Sequence, residues 1–252
     1  MTYRVYPMTR SIPKPPYLGA RLRALFELIE QHQAGERPYH SLWDCCCDHG
    51  YLGIKLLRKG LCEHLHFNDQ VPHLIDDLLE RLSHYPINSL QPSYSAAAKD
   101  AGQLALQRDR SHLVILAGIG GEHMINILEP LLENHADQQI DFLFCPATTQ
   151  FDLREFLAQR RFELLDEFLV TERNRDYEII HARYNGAAST ETKKVTRTGI
   201  FWDFDNAIHV RYLRKLIRHY QRCTQGDEKI EAQRILNFYL ELWQDMTKEP
   251  YS

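Results

Sequence analysis

Apolar positions along the chain switch between a helical spacing and a strand-like alternation, and each switch marks a new element. From Tyr17 to Gln33, Leu18, Leu22, Leu25, Phe26 and Ile29 recur at helical spacing, and Gly35 and Pro38 close that helix. Leu42 to Cys46 predicts a first strand and Tyr51 to Arg58 a helix. His64 to Asp69, where Leu65 and Phe67 alternate with polar neighbours, predicts a second strand. Pro72 sits near the start of a helix through Leu74, Ile75, Leu78, Leu79 and Leu82. Pro86 to Lys99 is irregular, with a third strand expected around Tyr94. Leu113 to Ala117 is a strongly apolar fourth strand that runs into Gly118-Ile119-Gly120-Gly121 and a helix through Met124, Ile127, Leu128 and Leu131. Ile140 to Cys145 is a fifth strand, stopped by Pro146, and Phe151 to Gln159 is helical. Phe162 to Val170 and Tyr177 to Tyr184 are expected as antiparallel edge strands. Strands alternating with helices predict a doubly wound α/β sheet.

The pattern changes after residue 185. Gly186 to Thr198 is polar, and 186–202 is expected to be a linker between a sheet domain, 1–185, and a helical hairpin, 203–252. Asp203 or Asp205 is expected to cap the first hairpin helix, which runs to about Cys223. Gly226 breaks it, and a second helix spans about Asp227 to Met246. On the first of these helices Arg211, Arg214, Lys215, Arg218 and Arg222 form one stripe, with Leu213, Leu216, Ile217 and Tyr220 on the other face.

Composition narrows the class. Hydrophobic residues make up 44% and charged residues 25%, ordinary for a soluble globular protein. The net charge of −4 carries no global nucleic-acid footprint, so any such footprint is local. One exists: Lys193 to Cys223 holds eight Lys or Arg against two Asp. No apolar run reaches the roughly 18–20 residues of a bilayer span, so no membrane contact is expected. Met1 to Arg10 lacks the apolar core of a signal peptide. Three of the six cysteines are consecutive and point to opposite faces of a strand, a poor disulfide or metal framework. Reduced thiols, a cytoplasmic location and no metal are expected.

Candidate chemistry concentrates in Ser41-Leu42-Trp43-Asp44-Cys45-Cys46-Cys47-Asp48-His49-Gly50-Tyr51-Leu52, a strand, a tight loop and a helix. Ligands of open α/β sheets bind where strand ends meet helix N-termini. This loop lacks the glycines and lysine of a phosphate loop and offers Asp44 and Asp48 instead. Carboxylates suit a ligand bearing an ammonium or a sulfonium, and S-adenosylmethionine bears both. In the other reading Asp48 caps the helix and Asp44 only closes the strand.

Leu18-Gly19-Ala20-Arg21-Leu22, Asp44 to Leu52, Leu116-Ala117-Gly118-Ile119-Gly120-Gly121, Leu153-Arg154 and Tyr177-Glu178-Ile179-Ile180 occur in that order. Together they resemble the bacterial tRNA (adenine-22 N1) methyltransferase family, over about residues 17–185. The resemblance implies the Rossmann-like sheet of a class I methyltransferase, a C-terminal α-helical hairpin, and S-adenosyl-L-methionine as cofactor. It makes Asp44, Cys46, Asp48, His49 and Gly50 the loop at the methionine end. The ribose hydroxyls would fall to Asp69 or Gln70, with Asp69 preferred because a carboxylate accepts two hydroxyl hydrogen bonds. Asp100 would meet the adenine amino group; otherwise it is a solvated turn aspartate. Ala117, Gly118 and Gly120 would lie beside the cofactor and the target base; otherwise the glycines serve close packing.

The chain departs from the family at two places. Cys46 replaces a glycine, and a cysteine there is expected to keep φ negative and reshape the loop. Cys145-Pro146-Ala147 replaces Gln-Pro-Asn, which removes a donor and an acceptor from the base side; Thr148 and Thr149 are candidate substitutes. No general base is identified by the sequence. His123 and Thr148 are the catalytic candidates, although such a histidine is more often a polar residue of a first helical turn. The resemblance also implies tRNA, or another RNA, as partner. It turns the stripe of Arg211, Arg214, Lys215, Arg218 and Arg222 from a solvated face into a phosphate-binding one, extended by Arg154, Arg160, Arg161, Arg173 and Arg175. Rival readings are a cofactor-binding RNA-binding protein without catalysis, suggested by Cys46 and Ala147, and a methyltransferase of another substrate. A dinucleotide-dependent oxidoreductase is disfavoured because G-x-G-x-x-G is missing after the first strand.

Overall fold

The computed structural model describes residues 16–85, 93–160, 162–186, 193–226, 229–248 and 251. Among the described residues seven strands form one sheet: β1 (Ser41–Cys45), β2 (His64–Asp69), β3 (Ser93–Ala98), β4 (His112–Ala117), β5 (Gln139–Cys145), β6 (Phe162–Glu172) and β7 (Arg175–Asn185). Seven helices accompany them: α1 (Ala20–Gln33), α2 (Tyr51–Lys59), α3 (Pro72–Ser83), α4 (Gly121–Asn134), α5 (Gln150–Gln159), α6 (Ala207–Cys223) and α7 (Lys229–Thr247). The Tyr94 strand exists, and the expected start of α7 at Asp227 lies outside the described residues.

The sheet order is β3-β2-β1-β4-β5-β7-β6. β1 pairs with β2 and with β4 in parallel, so the chain winds outward from β1 in both directions. The crevice at the carboxyl ends of β1 and β4 is therefore the topological switch point. Alternation along each strand sends residues to two cores. Leu42, Leu65, Leu113 and Ile115 meet α1, α2 and α3, whereas Trp43, Val114, Leu116 and Phe142 meet α4 and α5. Of the two antiparallel strands β6 alone lies at an edge, opposite the edge formed by β3. β7, expected at the edge, lies inside, antiparallel to both β5 and β6. Its run Glu178 to Ala182 is buried throughout, which an edge position would not allow.

Asn206, not Asp203 or Asp205, caps α6: its side chain accepts from Ile208 N at 2.9 Å. Asp203 is spent on Asp205 N, one turn too early. α6 and α7 pack around Leu213, Ile217, Leu236 and Tyr239, and their shared core reaches Phe151 of α5. Residues 193–202, read as linker sequence, pack on the sheet: Lys193 O accepts from Leu164 N, and Val195 and Trp202 are buried. No helix among the described residues is long and apolar enough to cross a membrane.

Under α1 lies a buried polar group of the core. Tyr39 Oη donates to Asp141 Oδ2 at 2.6 Å and sits 2.9 Å from His181 Nε2, while Arg183 donates to both Asp141 oxygens. Burial pushes His181 down to about 4 from its usual 6.5. Its folded-state value lies below its unfolded value, so His181 supports the fold above pH 6.5 and that support is lost as pH falls toward 4. At about 1.36 kcal/mol per unit, roughly 3 kcal/mol is at stake. Urea denaturation across that pH range is expected to show the loss, and His181→Gln is expected to flatten it.

Candidate functional site

The first wall of the switch-point crevice is the β1–α2 loop. Asp44, the penultimate residue of β1, is buried, and its Oδ2 accepts from Gly53 N in the first turns of α2 at 2.9 Å. Gly53 permits that approach: a Cβ there would lie 2.8 Å from Asp44 Oδ2 and 2.2 Å from the Phe67 ring. Burial pushes Asp44 up to about 7; the Gly53 hydrogen bond opposes this and the Asp69 charge adds to it.

Cys46 takes φ = 53°, so the loop keeps a glycine-like shape and the expectation of negative φ is overturned. Asp48 at 48° and Gly50 at 65° are left-handed as well. For a residue with a Cβ, such as Cys46, this costs on the order of 1–2 kcal/mol. The conformation is over-determined by its neighbours: Cys47 N donates to Asn68 O at 3.2 Å and Asp48 N to Asp69 Oδ2 at 3.0 Å. Asp48 does not cap α2. Gly50 holds the cap position without a side-chain bond, and Asp48 and His49 are exposed at the rim.

The second wall is the β2 end. Asp69 accepts through Oδ2 from Asp48 N and through Oδ1 from Val71 N at 3.0 Å. Both oxygens that made it the preferred ribose acceptor are thus engaged in stapling two loops. Gln70 is exposed and lines the crevice. Asp100 lies past the end of β3, exposed, and its Oδ1 accepts from Gly102 N at 2.9 Å. Its charge reaches Cys46.

The third wall is the glycine turn. Ala117, Gly118 and Ile119 line the crevice, and Gly118 takes φ = 87°. The loop after β5 is bolted to this turn: Gly118 N donates to Cys145 O, Ala147 N to Ile119 O and Gly121 N to Thr148 O, at 2.9–3.0 Å. A Cβ on Gly121 would meet Thr149 O at 2.2 Å, so the packing reading accounts for that glycine. Gly120 caps α4 and faces Thr148 Oγ1. His123 lines the crevice from the first turn of α4, whereas Thr148 is exposed on the adjoining loop and outside the lining. The cavity enclosed measures about 480 Å³.

The sequence reading assigned no role to Arg21, which enters this cavity from α1. Its position in Leu18-Gly19-Ala20-Arg21-Leu22 was visible, but helical spacing alone does not separate it from a solvated arginine. Gly50, Gly120 and Asp100 adjoin the cavity elements without lining it.

A profile of the methyltransferase domain family matches residues 18–180, from α1 to the middle of β7. The chain belongs to the methyltransferase domain family. No curated protein matches it in sequence. Among solved structures it is similar to M. capricolum TrmK in complex with S-adenosyl-homocysteine, with a TM-score of 0.68 at 18% identity, covering 89% of this chain and 97% of that one. Streptococcus pneumoniae Sp1610 in complex with S-adenosyl-L-methionine gives 0.64 at 19% identity, covering 86% and 97%. The B. subtilis M1A22 tRNA methyltransferase TrmK gives 0.60 at 16% identity, covering 92% and 98%.

Outside its cavity, this methyltransferase carries a second feature on α6. Arg211, Arg214, Lys215, Arg218 and Arg222 are all exposed and line one groove of about 650 Å³ with Phe204 and Val210. They are not equivalent. Arg211 is committed to Asp176, at 2.5 Å, beside Thr171. Arg214 lies over the Trp243 ring at 5.1 Å. One of the proposed extensions changes. Arg154 is fully buried between Glu167 and Glu178 and presents nothing to an RNA. Arg161 lies outside the described residues. Arg173 and Arg175 are exposed at the β6–β7 turn, and Arg160 stacks on Phe156 at 4.5 Å.

Proposed function

We propose that this chain transfers the methyl group of S-adenosyl-L-methionine to RNA, with N1 of an adenine in tRNA as the target. One juxtaposition carries the reading: an acid-walled cavity at the switch point and an exposed basic groove on α6 belong to the same methyltransferase chain. The likeness to tRNA methyltransferases supports the choice of substrate.

The cofactor supplies the electrophilic methyl when bound. Asp44 takes its ammonium, Gln70 its ribose hydroxyls while Asp69 holds the two loops in register, and the free oxygen of Asp100 its adenine amino group. Ala117 to Gly121 and the loop from Cys145 to Thr149 form the base side, where alignment and exclusion of water do the catalytic task. Adenine N1 is already a lone-pair nucleophile. Its methylation acidifies the N6 amino group, whose proton leaves to a base or to solvent. His123 and Thr148 remain the candidates on that side. We assign cofactor chemistry to 1–185 and RNA contact to 203–252, with 186–202 between.

The direct test incubates bulk tRNA with methyl-labelled S-adenosyl-L-methionine and digests it to nucleosides. Label in 1-methyladenosine supports the proposal. Cofactor binding without transfer would favour the RNA-binding protein that Ala147 suggests, and label in another nucleoside would move the target.

Asp44 yields a pH prediction. Near pH 7 it is only partly ionised, and the ammonium requires the carboxylate. Affinity for S-adenosyl-L-methionine is therefore expected to fall as pH drops below 7, by up to about tenfold per unit. Calorimetry is expected to register proton release on binding. Asp44→Asn is expected to bind more weakly and to lose the pH slope. A slope that persists in the variant assigns the titration to another group.

A further inference from the structure

One positive charge in the cavity has no assigned partner. Arg21 lies in the first turn of α1, and its guanidinium passes beside Gly118, where a Cβ would sit 3.0 Å from Nη1. The positive φ of Gly118 and its missing side chain make the space. The Tyr177 ring lies under the guanidinium, 5.3 Å from ring centre to Cζ, and fixes its plane.

No counter-charge neutralises the group among the described residues. Arg21 Nε is buried without a hydrogen-bond partner, and no carboxylate makes an ion pair with Arg21 among the described residues. The nearby acid, Glu172, accepts from the backbone N–H of Arg21 instead, at 3.1 Å. The thiol of Cys145 touches the guanidinium but stays protonated, since burial pushes it up to about 12, and so provides no counter-charge. The buried Arg154 and the half-buried Arg183 are treated differently: Arg154 has Glu167 and Glu178, and Arg183 has Asp141. A buried donor with no acceptor is costly, and the planar fork of arginine matches a carboxylate or a phosphate.

We propose that Arg21 is an anion receptor that completes the cavity by binding the anionic oxygens of a ligand. The inference rests on reading the cavity as an S-adenosyl-L-methionine site. With Asp44 and Asp69 on one wall and Arg21 on the other, the cavity is acidic at the β1 and β2 ends and cationic near β4, β5 and β7. Two sources supply the same chemistry: the α-carboxylate of the cofactor's methionine end, or a phosphate of the target nucleotide.

Three measurements on wild type, Arg21→Ala and Arg21→Lys separate them. Calorimetry with S-adenosylhomocysteine reads the whole cofactor product. Calorimetry with 5′-methylthioadenosine reads the same nucleoside without its amino-acid end. Steady-state kinetics reads KM for tRNA. A carboxylate partner is expected to cost Arg21→Ala at least tenfold in S-adenosylhomocysteine affinity and to leave 5′-methylthioadenosine unchanged, with partial recovery in Arg21→Lys. A phosphate partner is expected to raise KM for tRNA at least tenfold with kcat and both calorimetric affinities retained. Unchanged values throughout, or losses for all three ligands together with a lowered Tm, overturn the proposal and make Arg21 a packing residue. A wild-type protein that binds neither nucleoside overturns the reading of the cavity itself, and the proposal falls with it.

Discussion

Replacing Arg154 by methionine is expected to destabilise the protein by about 3–5 kcal/mol, the cost of breaking a buried charge cluster from one side. Arg154 rises from α5 with no exposed surface, pairs with Glu167 Oε2 at 2.7 Å and with Glu178, and lies over the Phe201 ring. Glu178 also accepts from Tyr212 Oη of α6 at 2.8 Å, and Glu167 accepts from Ile200 N. Removing the cation leaves two carboxylates facing each other in the interior. Guanidinium denaturation is expected to show the loss as a lower midpoint with an unchanged slope. Adding Glu178→Gln to Arg154→Met removes one stranded charge, so the double variant is expected to be less destabilised than the sum of the single ones. Strict additivity would mean that the three groups do not act as a unit.

Changing Arg214, Lys215, Arg218 and Arg222 together to glutamine is expected to weaken tRNA binding on the order of 100-fold at ~0.15 M salt and to flatten its salt dependence by roughly two to four log–log units. Arg211 is left in place because Asp176 already neutralises it. The other four have no carboxylate partner among the described residues and share the groove. Glutamine keeps helix propensity nearly constant, so α6 is expected to persist. S-adenosyl-L-methionine affinity is expected to stay put. Titrations at several salt concentrations decide the matter: an unaltered slope would return the stripe to a solvated face, and loss of cofactor binding would mean that α6 holds the sheet together.

Local pattern made much of this fold legible. The bounds of β2 match the apolar alternation of His64 to Asp69, and β1 differs by one residue, because both signals depend only on neighbours in the chain. Pairings set by distant residues were not legible. Phe162 to Val170 and Tyr177 to Tyr184 look alike as apolar runs, and what sets β7 inside is pairing along both of its edges, with β5 and with β6. Arg154 reads as a surface cation in any short window, since its partner Glu178 is 24 positions away, on β7. Cys46 follows the same logic: its intrinsic preference is negative φ, and bonds to the β2 end override it. The aspartates of the cavity were visible by residue type, but that Asp69 is spent on backbone N–H groups depends on how two loops meet.

The clamp around Arg154 also bears on how the chain is made. Both acids that pair with this arginine are translated after it, Glu167 on β6 and then Glu178 on β7, and Tyr212 of α6, which donates to Glu178, comes later still. β5 likewise waits for β7, which emerges only after β6. A nascent chain halted before β7 therefore carries an unpaired strand edge beside a guanidinium that must stay hydrated. The parallel half of the sheet has all of its own strands by Cys145, yet the open edge of β5 is covered only when β7 follows. Premature termination ahead of Tyr212 thus takes from the Arg154 cluster the hydroxyl that Glu178 accepts, and from Phe151 of α5 the helical core it packs against.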